Sequence, residues 1–295
     1  MIKLEKPDFD QGEILDACMS NMRTREGKPR ARIEASRDAI IAESDRYDRL
    51  AESGKLTRIK RHSLVDGGAT KKDMVELYDR KFARSGQGGR IYYDRIRLLA
   101  PYDRCPFCGQ RDVSTLDHYL AKTEFPSYSV TPYNLIPSCS DCNKEKLTEI
   151  FRSREDETIH PYYDDFTDEV WIKARVVEEE PVTFEFYVGK PKKWDLEKYR
   201  RAKHHFEVFG LNDLYKPHAC ERFCEVQPRL RELVKQQGME AGQEYIRECI
   251  KEKRSVRLNT WEAAMYDALL ESEWFWGIYL KGKSPCKNSP DSRKT

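Results

Sequence analysis

The 295-residue sequence predicts an α+β protein in which a small cysteine-pinned unit lies between two helical regions. Three observations carry this. Apolar residues recur at helical spacing through the N-terminal third and again beyond Trp194. Two C-x-x-C pairs occupy the middle of the chain. After them, "VWIKARVVEEEPVTFEFYV" alternates apolar and polar residues on both sides of an acidic turn at 178–181, the pattern of a hairpin.

In chain order, residues 31–53 place Ile33, Ile40, Tyr47 and Leu50 on one helical face, and "ATKKDMVELYDRKFA" repeats the pattern behind a Thr70 and Asp73 cap. "RSGQGGR" reads as a flexible break before the helix "IYYDRIRLLA", which "PYDRCPFCG" ends. Helical patterns return in "LEKYRRAKHHFEVFG", in a long stretch over 217–237, in "EAGQEYIRECIKEK" and in "TWEAAMYDALLESEWFW". The tail from 283 to 295 has a disordered composition. The organisation expected is therefore a helical region over 1–88, a cysteine-pinned domain over 89–165, a hairpin extension over 166–190, a second helical region over 191–282 and the tail.

Charged residues make up 35% of the chain against roughly 25% in ordinary domains, yet the net charge is only +2, so composition alone does not announce a nucleic-acid binder. The charge is uneven: residues 50–104 hold 13 Lys+Arg against 7 Asp+Glu. The first residues lack the apolar stretch of a signal peptide and no run is long enough for a membrane span, which predicts a soluble cytoplasmic protein with no membrane partner. Nine cysteines, an odd number, fit metal ligands and free thiols better than a disulfide framework.

Cys105, Cys108, Cys139 and Cys142 form C-x2-C-x30-C-x2-C, and four thiolates complete the closed tetrahedral shell of a structural zinc. A closed shell leaves no open position, so chemistry must come from the residues between and just after the pairs. These include Asp117 and His118 in "LDHYLAK", Asn134 in "YNLIP" and Asn143 after the last cysteine. Asp117 and Asn143 offer oxygen to a hard cation, which leaves His118 free to activate water.

Together "CPFCG", "LDHYLAK" and "NLIPSCSDCNKEK" resemble the HNH endonuclease family in its zinc-knuckle variety. That resemblance implies a ββα-metal core in which a hairpin and a helix pinch one divalent ion. By motif position it implies that His118 is the general base, that Asp117 and Asn143 bind a catalytic Mg2+ or Mn2+, and that Asn134 keeps the histidine loop in shape. Ala121 stands where many members have proline, and Asn143 where others have histidine. Lys144 and Lys146 open the following helix and are candidates for phosphate contact. A looser resemblance, through "HPYYDDFTDEVWIKARV" and "HHFEVFGLNDLY", is to HNH effectors of bacterial antiphage systems of the Septu and retron-associated kinds.

The function expected is thus a metal-dependent endonuclease acting on DNA, with RNA as a possible substrate, in antiviral defence. The helical arms exceed what catalysis needs, which implies a protein partner such as an ATPase sensor, or a homo-oligomer. The alternative is a non-catalytic, zinc-stabilised module that binds nucleic acid or protein. A zinc deaminase is set aside because the one H-x-E, at 205–207, follows both cysteine pairs and no P-C-x-x-C occurs. His204, His205, His218, Cys220 and Cys224 lack paired-knuckle spacing and read as helix residues; His160 reads as a structural histidine; Trp261, Tyr266, Trp274, Phe275 and Trp276 read as core or interface.

Overall fold

The computed structural model describes residues 1–23, 28–146 and 151–282. The tail expected to be disordered lies outside them. The chain divides into two compact units, Met1–Asp165 and Phe166–Thr295. Among the described residues no helix is long and apolar enough to cross a membrane.

The first unit holds the helices α1 (Gln11–Met19), α2 (Pro29–Ala35), α3 (Arg37–Glu52), α4 (Lys71–Leu77), α5 (Arg90–Arg97) and α6 (Ser140–Lys146), with the strands β1 (Thr115–His118) and β2 (Leu135–Ser138). The face expected over 31–53 is broken at Ser36, whose φ of −93° and ψ of 2° leave the helical path. The break has a purpose in packing: Ser36 Oγ accepts from Ala69 N at 2.9 Å, fastening the loop that leads into α4. Ile33, Ile40 and Tyr47 are fully buried as their spacing predicts, whereas Leu50 stays partly exposed. Of the connection expected to be flexible, residues 84–86 are exposed, while its far end is closely packed: a Cβ on Gly89 would lie 2.6 Å from Cys18 Sγ and 2.8 Å from Lys81 O.

β1 and β2 pair antiparallel, with Asp117 opposite Ile136 and His118 opposite Leu135. They do not stand alone. Leu116, Val130 and Leu135 join the same hydrophobic cluster as Ile14, Leu15, Ile40, Met74, Phe82 and Ile96 from the helices. A two-stranded hairpin is marginal by itself in water, so the N-terminal helices supply the apolar wall that a four-residue hairpin lacks. Residues 1–88 and 89–165 accordingly share one core.

In the second unit, the hairpin read from sequence is present as β3 (Ile172–Val177) and β4 (Thr183–Val188), paired in register from Ile172 opposite Val188 to Val177 opposite Thr183. Helices α7 (Leu196–Val208), α8 (Leu211–Gln237), α9 (Met239–Val256) and α10 (Trp261–Glu271) follow. α8 starts before Pro217, and "LNDLY" extends the helix backward; Pro217 and Pro228 both sit inside it, where each removes one main-chain hydrogen bond and crowds the carbonyl four residues before it. Asn259 ties the hairpin to the loop before α10: its Oδ1 accepts from Trp171 N at 2.8 Å and Ile172 N at 3.2 Å, while Nδ2 donates to Glu169 O at 2.8 Å. Tyr266, Phe275 and Trp276 are buried, and Trp261 and Trp274 partly so.

The cap of α4 carries a pH signature. Thr70 Oγ1 accepts from Asp73 N at 3.2 Å, Asp73 Oδ2 accepts from Thr70 N at 2.9 Å, and Arg32 grips the same carboxylate in a two-pronged contact of 2.8 and 2.7 Å. Burial pushes the Asp73 carboxyl up, but the Arg32 and Thr70 hydrogen bonds outweigh it and hold it at about 2. A folded pKa below the unfolded value of about 3.9 contributes stability above pH 5 that is lost as pH falls from about 4 to 2. Urea midpoints of the wild type and Asp73→Asn should therefore differ most above pH 5 and converge near pH 2, and Thr70→Ala should cost about 1 kcal/mol; a difference independent of pH would contradict the assignment.

Candidate functional site

The four knuckle cysteines meet at the foot of the hairpin. The Sγ atoms of Cys105, Cys108, Cys139 and Cys142 all lie within 4.8 Å of one another, and all four residues are buried. Each pair has a local reason to curl. Arg111 N donates to Cys108 Sγ at 3.5 Å, Cys142 N donates to Cys139 Sγ at 3.4 Å, and Gly109, at φ +68°, closes the first turn with its N–H 2.8 Å from Cys105 O. Zinc with Zn–S bonds of about 2.3 Å separates its sulfurs by roughly 3.8 Å, so a modest contraction of this cluster would enclose the ion. Hydrogen bonds from Cys105 pull the Cys108 thiol down and the Cys139 thiol to about 7, whereas burial pushes Cys105 up and its neighbours, Cys105 foremost, push Cys142 up. Four buried cysteine sulfurs this close could hold one cation, and the donor chemistry is that of zinc.

The cluster sets the position of everything above it. Cys105 and Cys108 precede β1, Cys139 follows β2 directly, and Cys142 lies in the first turn of α6. Asp117 and His118, at the end of β1, are thereby brought against α6. Asp117 is 4% and His118 9% exposed. Lys146 on α6 reaches both: its Nζ donates to His118 O at 2.7 Å and lies 2.9 Å from Asp117 Oδ2. Asn143, half-buried, lies one helical turn before it.

Lys146 corrects one expectation. At 1% exposure its ammonium is committed to the interior and offers nothing to a phosphate backbone. It is a resident counter-ion instead, and removing it would leave Asp117 a buried charge without a partner, a change that costs about 3–5 kcal/mol in comparable pairs. Lys144, by contrast, is exposed.

His118 is held in one tautomer. Its Nε2 is 2.9 Å from Ser129 O, an acceptor only, so Nε2 carries the proton and Nδ1 the lone pair. Tyr78, from the turn that continues α4, stands edge-on to the ring at 4.3 Å between centroids. Burial pushes the imidazole down to about 3, and Lys122 and Lys146 push the same way against the Ser129 hydrogen bond. The ring is neutral at physiological pH. Burial pushes the Asp117 carboxyl up, and Lys146 pulls it part of the way back.

Asn134 braces the loop that follows the doublet. Its Oδ1 accepts from Leu120 N at 2.7 Å, and its Nδ2 donates to Leu120 O at 3.0 Å and Tyr128 O at 3.1 Å. With Tyr119 N donating to Asn134 O at 2.8 Å, both ends of the loop are stitched to one fully buried amide. Because Tyr128 is next to Ser129, this same stitching places the carbonyl that orients His118.

Asp117 and Asn143 each carry a side-chain oxygen, the donor type a hard divalent ion takes. Lys146 already answers part of the Asp117 charge, so an ion held there would draw most of its shell from water and substrate. Sequence reasoning missed the carbonyl of Ser129, the ring of Tyr78 and the true partner of Lys146. All three are tertiary contacts between segments separated in the sequence. His160, read as structural, is 1% exposed, lies 3.1 Å from Tyr47 Oη and stacks on Tyr119 at 4.1 Å.

Purified protein is predicted to carry one zinc per chain by elemental analysis. Cys108→Ser and Cys142→Ser should each lose it and melt at much lower temperature, because structural zinc contributes on the order of 10 kcal/mol or more to the fold it closes; full stability in the zinc-free variants would contradict a structural role.

No known family model matches the chain, and no solved structure matches it. Among curated proteins the chain is similar to protein ea31 of Escherichia phage lambda, at 29% identity over 296 residues that span 94% of this chain and 99% of that protein.

Proposed function

We propose that the chain is a metal-dependent endonuclease of the HNH kind that hydrolyses phosphodiester bonds of DNA. The observation that carries this reading is the single buried unit formed by β1, β2 and α6. In it a carboxylate and an imidazole adjoin at a strand end, the imidazole has one nitrogen committed to a carbonyl, and a half-buried amide stands on the helix opposite. A module that only binds has no need of that combination.

In this reading His118 Nδ1 takes a proton from the attacking water while the Ser129 carbonyl keeps the ring from turning. Burial first, and the nearby ammonium groups after it, weaken the imidazole as a base in the free protein. A substrate phosphate counters that field, so the base strengthens when its substrate is in place. Asp117 and Asn143 would hold a Mg2+ or Mn2+, which when bound neutralises charge on the phosphate and leaving oxygen. Asn134 and Lys146 act at one remove, the first by bracing the loop and the second by fixing the strand end to α6.

Cleavage of supercoiled plasmid tests the reading. The wild type should nick or linearise DNA when Mg2+ or Mn2+ is added, and His118→Ala should fall by at least about 10²-fold while retaining its zinc. A zinc-loaded His118→Ala protein as active as the wild type would refute it. Binding without cleavage by either protein, across DNA and RNA substrates, would favour the non-catalytic zinc module.

A further inference from the structure

The basic segment before the first cysteine pair has a place in the fold that the chemistry above does not use. Residues between α3 and α4 line a cleft of about 370 Å³ with α3 on one side and the β1–β2 loop on the other. Four cations line it, Arg46, Arg58, Lys60 and Arg61, against two carboxylates, Glu43 and Asp66. The cations outnumber the carboxylates two to one. Glu43 is shared between Arg46, at 3.1 Å, and the hydroxyl of Tyr128. Arg61 reaches Glu124 only at 3.5 Å. Arg58 and Lys60 are exposed, and neither has a carboxylate within ion-pair distance among the described residues.

The cleft is joined to the histidine loop. His62 Nδ1 donates to Lys60 O at 3.2 Å, while its Nε2 accepts from Ser127 N at 3.2 Å and lies 2.7 Å from Ser127 Oγ. Ser127 and Tyr128 form the far wall, and the next residue, Ser129, supplies the carbonyl that orients His118. A cleft with an excess of cations beside a loop that positions an imidazole matches a polyanion with regularly spaced charge. Of the large aliphatic residues in its wall, Ile59 and Val65 are buried and Leu64 is exposed.

We propose that this cleft is the backbone-binding surface of the enzyme, where Arg58 and Lys60 contact phosphates of the nucleic acid whose strand continues toward His118; the inference rests on the endonuclease reading for its substrate. It takes over the role that Lys146 cannot fill. Each phosphate contact on duplex DNA contributes about 0.9 to the slope of log affinity against log salt.

The test is fluorescence anisotropy of a labelled duplex and a labelled single strand with zinc-loaded full-length protein, at several salt concentrations and without added Mg2+ or Mn2+. Arg58→Ala/Lys60→Ala should bind at least about ten-fold more weakly, with a slope shallower by about 2. A control that removes two exposed cations of the second unit, Lys235→Ala/Lys251→Ala, should stay within about two-fold of the wild type. Both substitutions in each pair are on exposed side chains, and Arg58→Glu/Lys60→Glu should deepen the loss. Equal affinity and slope in the cleft variant and the control would overturn the proposal, as would a wild type that binds neither oligonucleotide. Cleft-dependent binding with no His118-dependent cleavage would uphold this surface and sink the catalytic reading, so the two fail separately.

Discussion

Four buried cysteine sulfurs within 4.8 Å of one another fix where the central hairpin begins and where α6 starts, and the rest of the first unit is arranged on that constraint. The strands they staple are only four residues each, too short to hold a register unaided. Closing the cluster determines which residue of β1 faces which of β2, and a slip of one residue would turn Asp117 and His118 to opposite faces. The helices of the N-terminal half then complete the core from the other side, with Leu116 and Leu135 buried among Ile14, Met74 and Phe82.

Above that foot the polar interior is unusually committed. A lysine, an aspartate, a histidine and an asparagine are buried within one hairpin and one helix, each with named partners: Lys146 on Asp117 and the His118 carbonyl, His118 on Ser129, Asn134 on Leu120 and Tyr128. Groups of this kind are costly to bury and contribute little net stability compared with apolar residues of the same volume. Their concentration at one strand end fits a site held in a set geometry for chemistry. The depressed basicity of His118 and the raised Asp117 carboxyl both come from burial.

How much of this was legible in the sequence varied with the range of the interaction. The cysteine spacing, the Thr70–Asp73 cap and the β3–β4 hairpin are local patterns, and the structure contains each of them where the pattern lay. The break at Ser36 was not legible, because its cause is a hydrogen bond to Ala69, far along the chain. The tight packing of Gly89 against Cys18 was hidden for the same reason, as was the edge-on Tyr78. Lys146 was misjudged because a helix lysine is ordinarily solvated; its burial follows from a tertiary contact with β1. The cleft around Arg58 and Lys60 appeared in sequence only as a charge excess, since three separated segments build it.

The account stands on Asp117 being a ligand for an ion distinct from the zinc, and titration of the zinc-loaded protein with Mn2+, followed by electron paramagnetic resonance, measures that directly. It predicts one bound Mn2+ per chain in the wild type and none in Asp117→Asn, with zinc content and circular dichroism unchanged. Equal Mn2+ binding by the two proteins, or none by the wild type in the presence of duplex DNA, would contradict it.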